Sequence, residues 1–387
     1  MRILVDLVPV SRGGGLQNAL NLWREIGRSG SDHQWHAFVR PGVGFDHLPT
    51  GSHQTLEVVE ARGLPARLRV ENVRIPDRAR SFGADVVFTP MGAGPLRAPV
   101  PRVIGWHDST VAYPESALWR QASLGFRAVE PLRQRYAAAA AQGAARICVQ
   151  TATMARRLGR VWGIEPERFH VVPNGPSAFL VGEAPAAEPP RADPLRILVI
   201  GEPKPSKNLE ILPRVAAALS RRSLPPWEMI VTVGPPGGPW LAPFDAALTA
   251  APDAERHIRR VGPVPHAELG ELYRGAAVVL LPSLLESFSA TYVEAMHFGV
   301  PLVTSDLDFA RDICGRAALY ADPLDPDALA ERLARALTDA QVRSTLRAEG
   351  FATVAALPDW RARLQRYVDA CAAAVGAPEA TVAVGAS

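Results

Sequence analysis

The chain has 387 residues, which is more than one hydrophobic core usually organises, and we expect two domains. Apolar residues make up 48% of the sequence and charged residues 21%, a composition that excludes a largely disordered protein. Lys and Arg total 42 against 39 Asp and Glu, and a net charge of only +3 is too small to favour a nucleic-acid-binding protein, which would show a concentrated basic face.

The sequence favours a cytoplasmic location. Cys148, Cys314 and Cys371 are far apart and odd in number, so they predict neither a disulfide framework nor a zinc site. The N-terminus has one basic residue before a short apolar run, which is not typical of a signal peptide. No uninterrupted apolar stretch approaches the roughly 18 residues that a membrane span needs. We therefore predict a soluble protein of the reducing cytoplasm.

Short β-rich runs alternate with helical stretches along the first half, which is typical of βαβ units that build a parallel sheet. The predicted strands are Arg2–Leu7, Gln34–Arg40, Thr55–Glu60, Val86–Pro90, Arg102–His107, Arg146–Gln150 and Phe169–Pro173. The predicted helices are Leu16–Arg28, Ala66–Phe82, Ala117–Ala141 and Thr151–Val161. Residues 178–194 contain four prolines and little periodicity, and they predict a linker.

The same alternation returns in the second half. Its predicted strands are Arg196–Gly201, Glu228–Val233, Ile258–Val261, Val278–Leu281, Leu302–Thr304 and Ala318–Tyr320. Its predicted helices are Leu209–Arg221, Ala267–Arg274, Ala290–Phe298, Pro326–Thr338, Gln341–Ala355 and Trp360–Val375. We expect an α/β protein with two Rossmann-like domains, residues 1–177 and 195–357, that face each other across a cleft. A C-terminal helix over 358–376, which could cross back to the first domain, and a tail over 377–387 complete this division.

The segment from Pro282 to Ser305 carries the most specific pattern. Glu286 lies in a loop after a predicted strand, and Glu294 lies eight residues later, inside the next helix. A helix start presents unpaired amides that suit a phosphate, here those of Phe288, Ser289 and Ala290, with Ser287 or Ser289 as the cap. Glu294 could accept hydrogen bonds from a ribose diol. The alternative makes Glu286 a partner of the helix dipole and Glu294 a solvated helix residue.

This segment resembles the Glu-x7-Glu signature of retaining GT-B glycosyltransferases, specifically glycosyltransferase family 4. The stretches around Val172-Pro173-Asn174-Gly175, Ile200–Asn208 and Leu319–Pro323 are also similar to that family. The resemblance implies the GT-B fold, with Glu286 beside the donor sugar, Glu294 on the nucleotide ribose and the amides of residues 287–290 on phosphate. Ser289 and Ala290 stand where many members have Gly and Leu, which changes the contacts offered to the sugar.

Two lysines and a glycine loop complete the expected donor site. Lys207 follows a βα turn, where a cation neutralises a leaving diphosphate. Many members carry an Arg at the position of Glu202, and Lys204 could replace that charge or be a solvated lysine. In the first domain Gly14 and Gly15 match the family's glycine loop, which faces the donor diphosphate and the acceptor; the alternative is a plain turn.

His107, followed by Asp108, ends a predicted strand of the first domain. A lone histidine there is often only a satisfied polar residue. The resemblance instead implies that His107 contacts the donor sugar. No second ligand has a suitable spacing for a metal site, and we expect no cofactor and no Asp-x-Asp metal pair in the donor loop.

The predicted helix Ala117–Ala141 carries Arg120, Arg127, Arg133 and Arg135 beside apolar residues. It could lie on an anionic membrane surface, close to a lipid-linked acceptor and at the inner face of the membrane. A packed domain helix with a solvated basic face explains the pattern equally well.

The resemblance implies a metal-independent, retaining hexosyltransferase that moves a sugar from a nucleotide diphosphate-sugar to a glycan or lipid-linked acceptor, in polysaccharide or glycolipid biosynthesis. One alternative is another GT-B-like sugar-phosphate enzyme, such as a phosphorylase or an epimerase. The other is a non-catalytic protein that binds a nucleotide-sugar.

Overall fold

The computed structural model describes residues 1–11, 13–121, 124–176, 193–238 and 240–376. The predicted tail, and the predicted linker up to residue 192, lie outside these ranges. The chain divides into two compact units. The first is formed by the described residues of Met1–Ala112, Leu124–Asn174 and Pro358–Ser387, and the second by those of Tyr113–Ser123 and Gly175–Leu357.

The described strands form one parallel sheet in each unit. The seven strands of the first sheet are β1 (Arg2–Asp6), β2 (Gln34–Val39), β3 (Gln54–Val58), β4 (Val86–Thr89), β5 (Arg102–Gly105), β6 (Arg146–Val149) and β7 (Phe169–Val171), in the order β3-β2-β1-β4-β5-β6-β7. The six of the second are β8 (Leu195–Val199), β9 (Trp227–Val231), β10 (Ile258–Arg260), β11 (Val278–Leu281), β12 (Leu302–Ser305) and β13 (Ala318–Ala321), in the order β10-β9-β8-β11-β12-β13. The predicted pair of parallel-sheet α/β domains is confirmed.

The α-helices follow in chain order. They are α1 (Gly13–Arg28), α2 (Gly63–Arg69), α3 (Ile75–Phe82), α4 (Leu118–Gln121), α5 (Leu124–Gln142), α6 (Ala152–Trp162), α7 (Leu212–Ser220), α8 (Ala242–Thr249), α9 (Pro252–Glu255), α10 (Leu269–Arg274), α11 (Ala290–His297), α12 (Asp308–Cys314), α13 (Pro326–Thr338), α14 (Ala340–Ala355) and α15 (Trp360–Val375). A π-helical turn, Val70–Arg74, joins α2 to α3, so the single helix predicted over Ala66–Phe82 contains a π segment.

The described helices add to the prediction in two respects. The stretch predicted as one helix, Ala117–Ala141, contains α4, which belongs to the second unit, and α5, which belongs to the first; residues 122 and 123 between them lie outside the described ranges. Helices α8 and α12 were not predicted, because with eight and seven residues they are too short to show a clear helical period.

Both cores consist of the apolar strand residues and the inner faces of the helices. In the first unit α15 supplies Leu364, Tyr367 and Cys371 to the core that Ile3, Val86 and other strand residues build. In the second unit α7 and α13 cover the sheet with buried Leu and Ala side chains. Because strands buried on both faces leave only their ends open, the carboxyl ends of the two sheets are where ligand-binding residues are expected.

Candidate active site

Lys207 and Glu286 form an ion pair at the carboxyl edge of the second sheet. Lys207 follows the loop after β8, Glu286 follows β11, and Lys207 Nζ lies 2.6 Å from Glu286 Oε1. The Ser283 hydroxyl donates to the same oxygen over 2.8 Å. The two charged side chains are only 16% and 13% exposed. The structure therefore brings together two of the predicted site residues that are 79 positions apart in the sequence.

Asn208 holds the lysine loop in place. Its backbone is left-handed, with φ of 54°, and its buried side-chain amide donates to Pro282 O over 3.1 Å and to Pro323 O over 2.8 Å. Asparagine tolerates this backbone conformation better than most residues do. Gly201 leaves room for the Lys207 side chain, because a Cβ at this position would lie 3.3 Å from Lys207 Cε. Sequence reasoning did not assign these positioning roles.

Glu294 is buried rather than solvated, which excludes the alternative that made it a surface residue of the helix. Its side chain lies in α11 and is 3% exposed, and the Tyr273 hydroxyl donates to Oε2 over 2.7 Å. Burial, together with the negative charge of Glu294, raises the pKa of Tyr273 well above its usual value, so the hydroxyl keeps its proton and stays a donor. Tyr273 was missed because no sequence motif links α10 to α11.

The start of α11 presents amides as expected. Ser289 is the N-cap residue, but its hydroxyl makes no capping hydrogen bond, contrary to the predicted cap. Within the described ranges, the backbone amides of Phe288, Ser289 and Ala290 donate to no recorded acceptor. Since Glu286 lies just ahead of these amides, one loop offers both a carboxylate and a set of N–H donors.

Lysine is rare in this protein and occurs only in the loop that follows β8. Only two of the 42 Lys and Arg residues are lysines, and these are Lys204 and Lys207. Lys204 differs from Lys207 in its surroundings, because its side chain is 61% exposed and its Nζ lies 2.6 Å from Glu202 Oε2. The charge that we expected Lys204 to supply is therefore partly neutralised by Glu202.

In the first unit, Gly14 and Gly15 belong to the first turn of α1, which begins at Gly13 rather than at the predicted Leu16. A Cβ at Gly14 would meet no atom within 4 Å, and a Cβ at Gly15 would meet only Met91 Sδ, at 3.9 Å. Packing among the described residues therefore does not require glycine at either position. The space beside them is open for a ligand.

His107 lies just beyond the end of β5 and is a neutral side chain. Its Nε2 lies 3.0 Å from Pro90 O, and because a carbonyl oxygen only accepts, Nε2 carries the hydrogen. Burial, with the positive charge of Arg363, lowers the pKa of His107 to about 4. Asp108 instead bonds to Thr110 and Arg133, so the two adjacent residues do not act as a hydrogen-bonded pair.

The basic face predicted over Ala117–Ala141 is only partly described. Arg133 forms ion pairs with Asp108 and Glu130, so this arginine is neutralised within the protein. The side chains of Arg120 and Arg127 lie outside the described residues. Among the helices that the structure describes, none combines the length and the apolar character needed to cross a bilayer.

A pair of buried carboxyl groups in the first unit was not predicted. Asp6 at the end of β1 and Glu71 in the π turn are 1% and 0% exposed. Burial, reinforced by the charge of Glu71, raises the pKa of Asp6 to about 8. Arg67 Nε lies 2.6 Å from Glu71 Oε1, whereas Glu71 Oε2 is buried without a hydrogen-bond partner among the described residues. The π turn places Glu71 towards Asp6, and a search for the regular period of an α-helix does not detect such a turn.

An Asp-x-Asp pair follows a strand of the second sheet, whereas we expected none in the donor loop. Asp306-Leu307-Asp308 directly follows β12. Asp306 accepts two hydrogen bonds from Arg311, at 2.5 and 2.9 Å, and Asp308 accepts one from the Tyr113 hydroxyl at 3.0 Å. Across the described ranges, no group of three or more His, Cys, Asp or Glu side chains is arranged so that it could hold a metal ion.

The segment from Tyr113 to Gln121 packs within the second unit, beside the loops that carry Lys207 and Glu286. The Ser116 hydroxyl donates to Leu284 O over 3.2 Å, and Tyr113 stacks edge-on against Phe309 with ring centroids 5.8 Å apart. Helix α4 contacts the turn Pro205–Lys207. A piece of chain that lies between β5 and α5 in sequence thus helps to support the Lys207 turn.

Two protein families match this chain. The family described as glycosyl transferases group 1 matches residues 182–352, and the glycosyl transferase 4-like domain matches residues 13–175. Together these matches cover both units, and they include Lys207, Glu286 and Glu294.

Relatives of known name have similar sequences. A D-inositol 3-phosphate glycosyltransferase from Thermobispora bispora is 30% identical over 253 residues, which is 62% of this chain and 59% of the relative. The O-antigen chain mannosyltransferase B from Escherichia coli is 32% identical over 155 residues, which is 40% of each chain. The chain spans about half the length of the relatives that it matches.

Solved structures share the fold. The sucrose-phosphate synthase from Thermosynechococcus elongatus superimposes with a TM-score of 0.74 at 18% identity, covering 95% of this chain and 98% of that one. The HepE protein from Anabaena, solved in complex with UDP, gives a TM-score of 0.67 at 16% identity, covering 96% and 99%. The predicted GT-B fold is thereby confirmed.

Proposed function

The chain belongs to the group 1 glycosyl transferases, and on that premise we propose that it is a retaining glycosyltransferase using a nucleotide diphosphate-sugar as donor. The observation that carries the proposal is the arrangement at the carboxyl edge of the second sheet. There the Lys207–Glu286 pair joins the loops after the neighbouring strands β8 and β11, and α11 adds its open amides and the buried Glu294.

The donor would be held by these groups in distinct roles. The amides of Phe288, Ser289 and Ala290 would bind phosphate oxygens, and Glu294 would accept hydrogen bonds from the ribose hydroxyls. Glu286 would lie beside the sugar. Lys207 already neutralises one carboxylate, and its ammonium would face the diphosphate when the donor is bound.

The first unit would supply Gly14, Gly15 and His107. The glycines allow a ligand to approach the start of α1 closely, since a side chain is missing where the space is open. A neutral His107 would contact the donor sugar as a hydrogen-bonding group rather than as a charge, because its pKa of about 4 keeps it unprotonated near neutral pH.

Retention of the anomeric configuration would not require a nucleophilic carboxylate. The leaving diphosphate would take the proton of the acceptor hydroxyl on the face where the new bond forms, so the protein provides positioning and stabilisation of charge. Lys207, Lys204 and the α11 amides would replace the divalent cation that other transferases use. The proposal is therefore that transfer is independent of metal.

The acceptor would carry a hydroxyl group on a glycan, a polyol or a lipid-linked sugar. Support comes from the relatives, one of which is named for inositol 3-phosphate and another for an O-antigen chain. A cytoplasmic role in polysaccharide or glycolipid biosynthesis, including contact with the inner face of the membrane, agrees with such acceptors.

The proposal is tested by titrating nucleoside diphosphates into the protein and into Glu294→Gln. Glutamine keeps an acceptor for Tyr273, so the fold is preserved while the charged acceptor for the ribose is lost. Isothermal titration should show affinity reduced by about 1.5–3 kcal/mol, the loss expected for hydrogen bonds to a charged group. Equal affinity in a folded Glu294→Gln protein would contradict the assignment of the ribose site.

A further inference from the structure

A short segment of the second unit, Tyr113–Gln121, lies across the loops that follow three neighbouring strands of the second sheet, and we call it the clamp segment. The three strands are β8, β11 and β12, which are adjacent in the sheet order. Helix α4 contacts the turn Pro205–Lys207 after β8, which we call the lysine turn. Ser116 bonds to the loop after β11, and Tyr113 bonds to the start of α12, after β12. One segment therefore contacts three loops at the carboxyl edge, including the two that form the ion pair.

Ser116 connects the clamp segment to both loops of the ion pair. Its hydroxyl donates to Leu284 O over 3.2 Å, and the Leu284 amide donates to Ser206 O over 2.8 Å. Leu284 lies two residues before Glu286, and Ser206 lies directly before Lys207. The two polar groups of the Leu284 backbone are thus bonded, one to the clamp segment and the other to the lysine turn. Hydrogen bonds therefore link Ser116, through Leu284, to the residue beside Lys207.

Tyr113 anchors the clamp segment in the second unit. Its side chain is buried, its ring stacks edge-on against Phe309 at 5.8 Å, and its hydroxyl donates to Asp308 over 3.0 Å. Its carbonyl accepts from Trp119 Nε1 over 2.9 Å and from the Ser116 amide over 3.1 Å. The segment is thus folded around the Tyr113 carbonyl, which fixes the place from which the Ser116 hydroxyl reaches Leu284.

The geometry of the ion pair depends on how its two loops are held. Lys207 Nζ and Glu286 Oε1 are 2.6 Å apart, although the residues are 79 positions apart in the sequence. Because a misplacement of about 1 Å can reduce the rate of a reaction by about 10²-fold, loops that carry reacting groups need fixed positions. Ser283 reaches Glu286 from within the same loop and moves with it, whereas the bond from Ser116 comes from outside that loop.

We propose that Ser116 is a positioning residue, whose hydroxyl holds the Leu284 loop against the lysine turn and so fixes the Lys207–Glu286 pair for sugar transfer. Ser116 acts through the Leu284 backbone and not on the donor itself. The effect on sugar transfer rests on the proposed glycosyltransferase function. The effect on the two loops does not, so the two effects are measured separately.

Hydrogen exchange measured by mass spectrometry tests the effect on the loops in the full chain. In Ser116→Ala, peptides that cover residues 201–208 and 282–288 should lose protection, because the hydrogen bond from the Leu284 amide to Ser206 loses its outside support. Ser116→Thr keeps the hydroxyl and should restore the protection. Unchanged exchange of both loops in a folded Ser116→Ala protein would overturn the proposal.

Ser220→Ala is the matched control. The Ser220 hydroxyl also donates to a backbone carbonyl of the second unit, that of Ala216, over 2.9 Å. It belongs to the last residue of α7, which leads to the amino end of β9 rather than to the carboxyl edge. The control removes the same kind of hydrogen bond and should leave the exchange of both loops unchanged. Equal loss of protection in Ser220→Ala would assign the effect to general stability and overturn the proposal.

Steady-state kinetics with a nucleotide-sugar that the wild type uses test the effect on transfer. Ser116→Ala should lower kcat by about fivefold, the effect of losing one hydrogen bond, whereas Ser116→Thr and Ser220→Ala should keep it. The affinity for the nucleoside diphosphate should not change, because on our proposal Glu294 and the α11 amides hold it. In a Lys207→Ala background Ser116→Ala should cause almost no further loss, since both substitutions act on one ion pair. An undiminished kcat, or a loss that adds in full to that of Lys207→Ala, would overturn the proposal.

Tyr113→Phe is the second variant if Ser116→Ala does not fold. It keeps the ring that stacks on Phe309 and removes the hydroxyl that bonds to Asp308. The clamp segment then loses an anchor, and exchange of residues 282–288 should increase; unchanged exchange would overturn the proposal. If the wild type transfers sugar from no nucleotide-sugar, only the proposed function is contradicted, and the exchange experiment still decides the role of Ser116.

Discussion

The surroundings of Lys207 favour lysine over arginine at this position. An ammonium is a compact point charge on a flexible stem, whereas a guanidinium is a wide planar group. The stem of Lys207 passes close to Gly201, and its Nζ reaches Glu286 between two loops. A slender stem suits this close approach to Gly201 better than the wider guanidinium of an arginine would.

Lys207→Ala should reduce kcat by on the order of 10²-fold, because a cation aimed at the leaving diphosphate acts more strongly as charge develops in the transition state. The donor KM should change less. Lys207→Arg keeps the charge but not the compact shape, and we expect it to restore only part of the lost kcat. Steady-state kinetics with saturating acceptor provide the measurement.

The same measurement on Lys204→Ala compares the two lysines. Since Lys204 is exposed and paired with Glu202, its loss should lower kcat by less than the loss of Lys207 does. An unchanged kcat with a raised donor KM in Lys207→Ala would mean that Lys207 contributes uniform binding, and Lys204 would then be the better candidate for charge stabilisation.

The buried carboxyl of Asp6 predicts a dependence of stability on pH. Burial, with the neighbouring Glu71, raises its pKa from 3.8 to about 8, so between these values the folded state holds a proton that the unfolded chain has lost. Stability therefore falls as pH rises across this interval, by at most about 1.4 kcal/mol per pH unit. Asp6→Asn removes the titration, and its melting temperature relative to wild type should increase from about pH 5 to about pH 8.

Asp77→Asn serves as the control, because this carboxylate of the same unit is 67% exposed. Its melting temperature relative to wild type should stay nearly constant over the same pH range. If the melting temperature of Asp6→Asn relative to wild type were also constant over this pH range, the folded protein would not hold the extra proton that we infer for Asp6.

At the scale of elements, the sequence predicted every described strand, because each is a short apolar run with turn residues on both sides. Helix α15 was also predicted, but its packing against α1 and β6 depends on contacts between residues far apart in sequence. The assignment of α4 to the second unit and of α5 to the first could not be predicted, since a continuous helical pattern does not show which part packs in which unit. Lys207 and Glu286 were found through family resemblance. Tyr273 and Asn208 could not be predicted, because their roles depend on hydrogen bonds to residues that are distant in sequence.

The caps of two helices allow each unit to be perturbed separately. Asp359 accepts a hydrogen bond from the Ala362 amide over 2.7 Å at the start of α15, in the first unit. Asp325 accepts from the amides of Asp327 and Ala328, both at 3.0 Å, at the start of α13, in the second. Replacing either cap by Ala should cost about 1 kcal/mol.

Hydrogen exchange measured by mass spectrometry should locate each loss. Asp359→Ala should reduce protection in peptides of the first unit, and Asp325→Ala in peptides of the second, because each helix packs in one core. Equal loss of protection in both units for either variant would contradict this expectation and show that the units unfold together.

At the scale of the whole molecule, the first unit is built from three separate stretches of sequence. Residues 358–376 return to it after the second unit is complete, and residues 113–121 leave it for the second. The first unit therefore needs a segment that follows the second unit in sequence, and the second unit needs a segment that interrupts the first. A truncation after residue 357 would expose the apolar core residues that α15 covers, including Val86 and Phe88.

At this scale the proposed metal independence of sugar transfer is tested with a chelator. We expect transfer to continue in excess EDTA, because on our proposal Lys207 and the amides of α11 neutralise the diphosphate in place of a cation. Asp306 and Asp308 offer the competing arrangement, although Arg311 occupies the first and Tyr113 bonds to the second. Activity that EDTA abolishes and manganese restores would assign charge neutralisation to a metal. In that case Asp308→Asn should reproduce the loss, while Lys207→Ala should have a smaller effect than predicted above.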